Sequence, residues 1–383
     1  MLCTVCKGKG LCGLARCPIT ERFHALVREK PVTAYSGTAP SVFIGSSGYP
    51  SVRGGPLLVH DSDHPPAWLA EGLGIEDIVR LRAETIRGLS TIHSCLDQVR
   101  EIAIAPRPVM VDAVFDRPVR FQPDFDRVTA PVGCAGDIAR LAVLDHPPTD
   151  RAVDRVTSDT DLPAGEGCTL LHQAGIDVYR ITPLMTAGLL GRKRKIVPTR
   201  WAITAVDDTV STAQKKEISR YPPVPSVQLH AGDLFGNRLG ILLIPGDWRY
   251  EMIERWGPRS LWAGETETIV ADREGMKKTG YSPITGAYYS ARLAVTEYLS
   301  RIQRSARVIV IRNVDPSYWA PLGTWVVREA SRRAMAAEPA EFSSLAEAVQ
   351  RAAHFTGFPD WERHSTLLPE VKTQKMLADF GLA

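Results

Sequence analysis

Four cysteine thiols near the N-terminus have the spacing of a metal site. Cys3 and Cys6 form a C-x2-C pair, and Cys12 and Cys17 follow among glycines that permit tight turns. Structural zinc is commonly held by four thiolates, and so short a segment depends on the metal for its fold. Zinc is therefore the predicted cofactor of a knuckle spanning residues 1–18. The alternatives are an iron–sulfur cluster and four unrelated surface thiols.

A second group of side chains has the chemistry of a metal-assisted enzyme. Their carboxylates and imidazole could bind a divalent ion or transfer protons, provided that distant segments converge on one point. Each has a plain alternative, because polar residues also occupy solvated turns and strand ends. The candidate catalytic residues are Asp207, His60, Asp61 and Glu265.

A run of basic residues could bind phosphate. It opens the segment GRKRKIVPTRWAITAVDD, residues 191–208, which we interpret as a short strand with cations at its entry and carboxylates at its exit. On a solvated turn the same run would have no ligand. A glycine-rich turn and the start of a predicted helix add residues that could contact phosphate or stack on bases, although the tyrosine could equally be a core aromatic. The predicted phosphate-binding or nucleic-acid-binding residues are Arg53, Arg192, Lys193, Arg194, Lys195, Arg200, Tyr288 and Arg292.

The composition limits the class of protein. The chain has 383 residues, 44% of them apolar, and its net charge is only +3, so nucleic-acid binding depends on local patches. No apolar run reaches the roughly 18 residues that span a bilayer, and no signal-peptide pattern is present. Seven cysteines, four of them clustered, favour a reducing cytoplasm over a disulfide framework. We expect a cytoplasmic protein with no membrane partner.

The elements that position these residues alternate between strands and helices, which predicts an α/β or mixed α+β fold. We expect one large body, residues 19–365, between the knuckle and a flexible tail, residues 366–383. The predicted strands are 42–44, 57–59, 108–115, 176–181, the apolar part of 191–208 and 307–312, with a hairpin from 227–235 to 239–244. The predicted helices are 74–100, 166–174, 182–190, 209–220, 249–256, 285–302, 323–337 and 344–353, and 116–165 is predicted to be surface connection. Asp208 would cap the helix over 209–220, which leaves Asp207 for chemistry.

The last ten residues contain a candidate docking motif. Gln374, Leu377 and Phe380 fit the pattern Q-x-x-hydrophobic-x-x-aromatic, with Gly381 at the second aromatic position of the fuller motif. In a tight helical turn, residues three apart project together, so Leu377 and Phe380 would form one apolar plug. The pattern resembles the motif by which proteins dock on the replication sliding clamp, PCNA. The alternative is an ordinary amphipathic tail.

Long segments of the chain resemble the archaeal NreA family of DNA repair proteins. The resemblance lies in the four-cysteine knuckle, FIGSSGYPSVRGGPL (residues 43–57), GRKRKIVPTRWAITAVDD (191–208), ITGAYYSARLAVTEYL (284–299) and the tail. It implies a cytoplasmic archaeal protein that acts in DNA damage tolerance through the clamp. It supplies no catalytic mechanism.

Three functions therefore compete. The first is a zinc-containing repair factor, recruited by PCNA, that contacts DNA or a nucleotide through Arg192–Lys195 and Arg200. The second is a metal-assisted enzyme acting on a nucleotide or DNA phosphate. The third is a non-catalytic adaptor that brings other proteins to the clamp.

Metal analysis of the purified protein should find a single zinc ion per chain, because four thiolates complete its tetrahedral shell. Replacing Cys3 and Cys6 with Ser should release the metal, whereas Cys134→Ser should retain it. A purified chain that carries no zinc would contradict this prediction.

Overall fold

The computed structural model describes residues 31–59, 63–124, 132–261 and 263–373, with the backbone alone at 121–124 and 132–133. The four knuckle cysteines, His60, Asp61, Gln374, Leu377 and Phe380 lie outside the described residues. The chain divides into two units. The first extends to Val210 and includes Ala320–Trp325, and the second comprises Ser211–Trp319 and the residues from Val326 onward.

Unit 1 is built on a seven-stranded sheet with the order β1-β5-β7-β4-β3-β2, in which β6 also pairs with β7. Only the β4–β7 pair is parallel among the pairings described for this sheet. The strands are β1 Val32–Ala39, β2 Ser41–Ile44, β3 Arg53–Leu58, β4 Ile86–Thr91, β5 Val109–Val119, β6 Phe121–Asp124 and β7 Val132–Val143.

The core of unit 1 forms because alternate residues of β5 point to one face of the sheet. Val109, Val111 and Ala113 are each at most 1% exposed and join a buried apolar cluster that includes Val99 and Ile102. The helices of this unit are α1 Pro65–Ala70, α2 Ile75–Glu84, α3 Leu96–Ile104, α4 Arg151–Ser158, α5 Ala164–Gln173 and α6 Val178–Thr186. Helix α7, Thr199–Ile218, contributes residues to both units.

Unit 2 is built on a six-stranded sheet with the order β11-β10-β12-β9-β8-β13. The interior strands β10 and β12 are parallel, and the other pairs are antiparallel. The strands are β8 Val227–Leu234, β9 Asn237–Ile244, β10 Arg249–Trp256, β11 Thr268–Glu274, β12 Arg307–Val314 and β13 Ala340–Phe342. The remaining helices are α8 Gly286–Ile302, α9 Trp325–Ala336, α10 Leu345–Thr356 and α11 Leu367–Thr373.

The predicted mixture of strands and helices is confirmed, and so are several elements. The hairpin at residues 227–244, the strand at 307–312 and the helix starting near Thr285 are present. No helix in the described ranges is both long enough and apolar enough to cross a membrane.

The predicted helix over 74–100 is wrong, because β4 interrupts it. Helix α2 ends at Glu84, and the chain continues as a sheet strand through Gly88. A Cβ atom on Gly88 would lie 2.4 Å from Cδ1 of Ile138 on β7, so a larger residue here would require the Ile138 side chain to move. This constraint joins residues 50 positions apart and leaves no local signal.

The predicted strand within 191–208 is also wrong, because its apolar residues follow a helical period. Ala202, Val206 and Val210, spaced by four, are buried on one face of α7. The helix already begins at Thr199, so Asp208 does not cap a helix over 209–220.

Three further element predictions are wrong. Residues 249–256 form β10 rather than a helix; this strand is buried on both faces and therefore lacks a period of two. Residues 176–181 lie mostly in α6 rather than in a strand, and 116–165 contains the end of β5, then β6, β7 and α4, rather than being only surface connection.

Candidate functional site

The basic run lies in the loop between α6 and α7 of unit 1, and its two arginines hold that loop in place. Arg192 Nε donates to the Asp161 carbonyl oxygen at 2.6 Å. The Arg194 guanidinium donates to the carbonyl oxygens of Leu189 and Asp159, the latter at 2.9 Å. Hydrogen bonds to backbone carbonyls position a side chain, and here they take up donors that the sequence assigned to phosphate.

The two lysines of the run alternate with these arginines and are exposed. Lys193 and Lys195 project from the loop, and within the described chain neither forms an ion pair. An ammonium group on a flexible stem suits phosphate as a point charge. The part of the basic run that remains available for an anion is therefore Lys193 and Lys195.

A glycine-rich turn packs against the start of α7 in the same unit. The Ile44 N–H donates to Thr199 Oγ1 at 2.9 Å, which joins the end of β2 to the first turn of the helix. Beyond this bond, the Tyr49 and Trp201 rings meet edge to face, with their centroids 5.1 Å apart. They remain 42% and 45% exposed, and Arg200 beside Trp201 is also exposed.

Such an arrangement can bind single-stranded nucleic acid. Aromatic faces stack on bases without sequence preference, and nearby cations attract the phosphate backbone. The sequence did not identify Tyr49 or Trp201 as binding residues, because a strand through 201–206 placed Trp201 in the core. A helical period would have predicted that Ala202 faces the core and that Trp201 points away from the buried face.

Arg53 does not present a free charge at this turn. It forms an ion pair with Asp137 on the neighbouring part of the sheet, with both side chains more than half exposed. An exposed pair of this kind contributes at most about 1 kcal/mol to stability. Arg53 could exchange this partner for phosphate, but its positive charge is already compensated.

Tyr288 and Arg292 lie in the interior of unit 2. Both are 0% exposed, so neither can stack on a base or contact the phosphate of a strand in this structure. The sequence places them correctly on the first turns of α8, but the helix is buried on nearly every side. We therefore reassign both from recognition to the core.

Arg292 belongs to a buried charge network that holds α7, α8 and β11 together. Its guanidinium donates to Glu274 Oε2 at 2.6 Å and to Ser211 Oγ at 3.0 Å. Lys215 Nζ donates to the other Glu274 oxygen at 2.8 Å. One carboxylate thus pairs with two buried cations, so that each buried charge has a hydrogen-bonded partner of opposite sign.

The tyrosines beside this network remain protonated. Burial raises the pKa of Tyr250 well above its usual value, and Arg292 opposes that rise. Burial, together with the charge on Glu274, also raises the pKa of Tyr288. The Tyr250 hydroxyl donates to the Tyr288 carbonyl oxygen at 3.1 Å. Neither hydroxyl is a source of phenolate at physiological pH, so neither is poised as a base.

The enzyme candidates that the structure describes do not form a metal site. Asp207 lies inside α7 and is 0% exposed, whereas Glu265 is exposed in the loop before β11. Across the described residues, no group of three His, Cys, Asp or Glu side chains is arranged to hold a metal ion.

A buried carboxylate fixes the start of the C-terminal segment to unit 2. Glu251 on β10 is 0% exposed. It accepts hydrogen bonds from the Ser365 hydroxyl, and from the N–H and hydroxyl of Thr366 at 2.7 Å each. Leu367 and Leu368, the next two residues, are at most 3% exposed. Helix α11 is therefore seated on the unit, and the docking motif predicted from the sequence begins at the residue after its end.

Comparison with known proteins covers nearly the whole chain. Residues 11–263 match the family described as archaeal Nre, N-terminal, and residues 273–380 match its C-terminal counterpart. The DNA repair protein NreA of Archaeoglobus fulgidus is 34% identical over 94% of this chain and 95% of its own length. NreA of Haloferax volcanii is 34% identical over 92% and 90%, and NreB of Archaeoglobus fulgidus 34% over 99% and 100%. No solved structure matches significantly.

Replacing Glu274 with Gln should lower the free energy of unfolding by about 3 kcal/mol or more, because Lys215 and Arg292 would remain as uncompensated buried cations. The matched control is Glu267→Gln, which removes a partly exposed partner of Arg255 and should change stability by about 1 kcal/mol at most. Urea unfolding of both variants measures the difference. Equal stability losses would contradict the assignment of Glu274 as the compensating charge.

Proposed function

Because the chain belongs to the archaeal Nre family, we propose that it acts in DNA repair, contacts nucleic acid through unit 1, and docks on the sliding clamp through its C-terminal motif. The repair role is supported by relatives named DNA repair proteins at 34% identity over at least nine tenths of this chain.

The nucleic-acid contact is supported by exposed side chains of unit 1 at the start of α7 and in the loop before it. There the exposed Tyr49 and Trp201 rings meet at the start of α7, and the loop that precedes this helix carries the exposed Lys193 and Lys195. Bases would stack on the rings while the lysines and Arg200 approach the phosphates. We define these five residues as the aromatic–basic surface. It is the observation that carries the nucleic-acid part of the proposal.

The clamp contact is supported by the sequence pattern of Gln374, Leu377 and Phe380, together with the seating of the preceding residues. Glu251 and the buried Leu367 and Leu368 hold α11 on unit 2. Because the motif starts directly after α11, the body of the protein fixes the point from which the motif extends. Docking it would then place the body at a defined distance from the clamp.

Replacing Lys193 and Lys195 with Ala should weaken binding to a single-stranded oligonucleotide and reduce the salt dependence of the affinity by about 1.4 in slope, because about two phosphate contacts are lost. Fluorescence anisotropy at several salt concentrations measures both. Trp201→Ala should weaken the binding free energy by about 1–3 kcal/mol, because one stacked base loses its aromatic partner, and it should leave the salt slope unchanged.

The matched control removes two exposed arginines of α4, Arg151 and Arg155, from the same unit. This double variant should retain most of the affinity. If it weakens binding as much as the lysine variant does, the aromatic–basic surface is not the site of contact. If the wild-type protein does not bind nucleic acid but does bind the clamp, the adaptor function replaces the proposed one.

Replacing Leu377 and Phe380 with Ala should reduce affinity for PCNA at least about tenfold, because both anchors of the apolar plug are removed. The control variant carries Ala at Met376 and Asp379, the residues that directly precede the two apolar motif positions. Isothermal titration calorimetry with the purified clamp compares them. Unchanged affinity of the Leu377 and Phe380 variant would exclude this motif as the docking element.

A further inference from the structure

Unit 2 contains a cleft that the proposed function does not use. Its volume is 290 Å³, and it is lined by the end of β11, the start of β10 and helix α11. Pockets for small organic ligands begin at about 300 Å³, so the cleft lies at the small end of that range. Tyr250 contributes to its wall, and Gly275 lies on its rim.

Three cations line the cleft, and two of them lack a carboxylate partner. Arg249 and Lys277 form no ion pair among the described residues. Arg273 pairs with Glu370 of α11 at 2.5 Å, with both side chains about half exposed. Exposed pairs of this kind are weak, so Arg273 can turn toward a stronger anion.

Glu274, the second acidic residue that lines the cleft, does not cancel this charge. Glu274 is already bonded on both oxygens, to Lys215 at 2.8 Å and to Arg292 at 2.6 Å. The carboxylate and its two buried cationic partners together carry a charge of +1. With Arg249, Arg273 and Lys277 added and Glu370 subtracted, the surroundings of the cleft have a net charge of +3.

The side-chain types indicate which anion fits. Two guanidinium groups offer planar pairs of donors that match the oxygens of a phosphate, and a lysine adds a point charge. Only one donor of Arg249 is occupied in the described structure, by the Trp248 carbonyl oxygen at 2.9 Å. Gly275 leaves space beside this guanidinium, since a Cβ there would approach it no closer than 3.9 Å.

We propose that this cleft binds a phosphate group, carried either by a mononucleotide or by a nucleic-acid strand, through Arg249, Arg273 and Lys277. The inference goes beyond the proposed function, because it involves neither the aromatic–basic surface nor the clamp motif. An acidic ligand with a single carboxylate would use fewer of the available donors, so phosphate is the better match.

Calorimetric titration of the full chain tests the proposal. The ligands are AMP, adenosine and a single-stranded oligothymidylate that lacks terminal phosphates. AMP should bind at least about tenfold more tightly than adenosine, which lacks the charged group. Arg249→Ala with Lys277→Ala should remove that preference. The charge-matched control is Arg333→Ala with Arg351→Ala, two exposed arginines of α9 and α10, and it should preserve the preference.

A second variant separates loss of the site from effects on folding and on overall charge. Gly275→Leu changes no charge and fills the space beside Arg249, and the backbone at this position can accept a side chain without strain. It should weaken AMP binding at least about fivefold while the melting temperature stays within the range of a surface substitution. Loss of AMP binding alone in the Arg249 and Lys277 variant assigns the site to a mononucleotide. Parallel loss of oligothymidylate binding assigns it to the phosphates of a strand.

The proposal is overturned if neither the preference for AMP over adenosine nor the binding of oligothymidylate depends on Arg249 and Lys277, or if the cleft and control variants weaken binding equally. The two tests are distinguishable, because the proposed DNA contact is measured on Lys193, Lys195 and Trp201, which do not line the cleft. Either set of residues can therefore fail its test while the other passes.

Discussion

The hydrogen bonds that Glu251 accepts from residues 365–367 determine where the C-terminal segment begins. A carboxylate buried on a central strand requires strong partners, and here the partners are the hydroxyl and amide groups that open α11. The interaction has two consequences. It covers one wall of the cleft with Leu367 and Glu370, and it brings the chain to Thr373 at a fixed point, directly before the predicted clamp motif. The residues that anchor the segment therefore directly precede the predicted motif and are separate from it.

Buried charge organises the rest of unit 2 in the same way. Glu274 compensates Lys215 and Arg292, and Glu254 compensates Arg312, whose guanidinium also donates to Asn237 on the neighbouring strand. Each network joins different elements of the unit and satisfies its donors with specific acceptors, which favours one arrangement of the elements over its alternatives. The basic run of unit 1 is arranged differently. Its arginines, Arg192 and Arg194, bond backbone carbonyls and hold a loop, while the exposed Lys193 and Lys195 stay available to an external anion.

Much of the fold could be predicted where the pattern was local. The hairpin follows from Gly236 and Asn237 between two apolar runs, and β12 follows from the run RVIVIR. Prediction failed where distant contacts decided the structure, as around Gly88, where pairing with β3 and β7 makes the middle of an apparent helix a strand. It also failed for β10, whose burial on both faces hides its period. For the candidate site, the sequence located the basic loop but could not separate structural arginines from exposed lysines. It also located Tyr288 and Arg292 on the right helix without indicating that the whole helix is buried.

Native-state hydrogen exchange measures directly whether Glu251 holds the C-terminal segment on unit 2. In the wild-type protein the amides of Thr366, Leu367 and Leu368 should be protected, because each donates a hydrogen bond to Glu251 or Ser365. In a Glu251→Ala variant these amides should exchange at least about tenfold faster while the amides of β12 keep their protection. Glu341→Ala, on the exposed edge strand β13, should leave both sets unchanged. Unaltered protection of residues 366–368 in the Glu251→Ala variant would contradict the account.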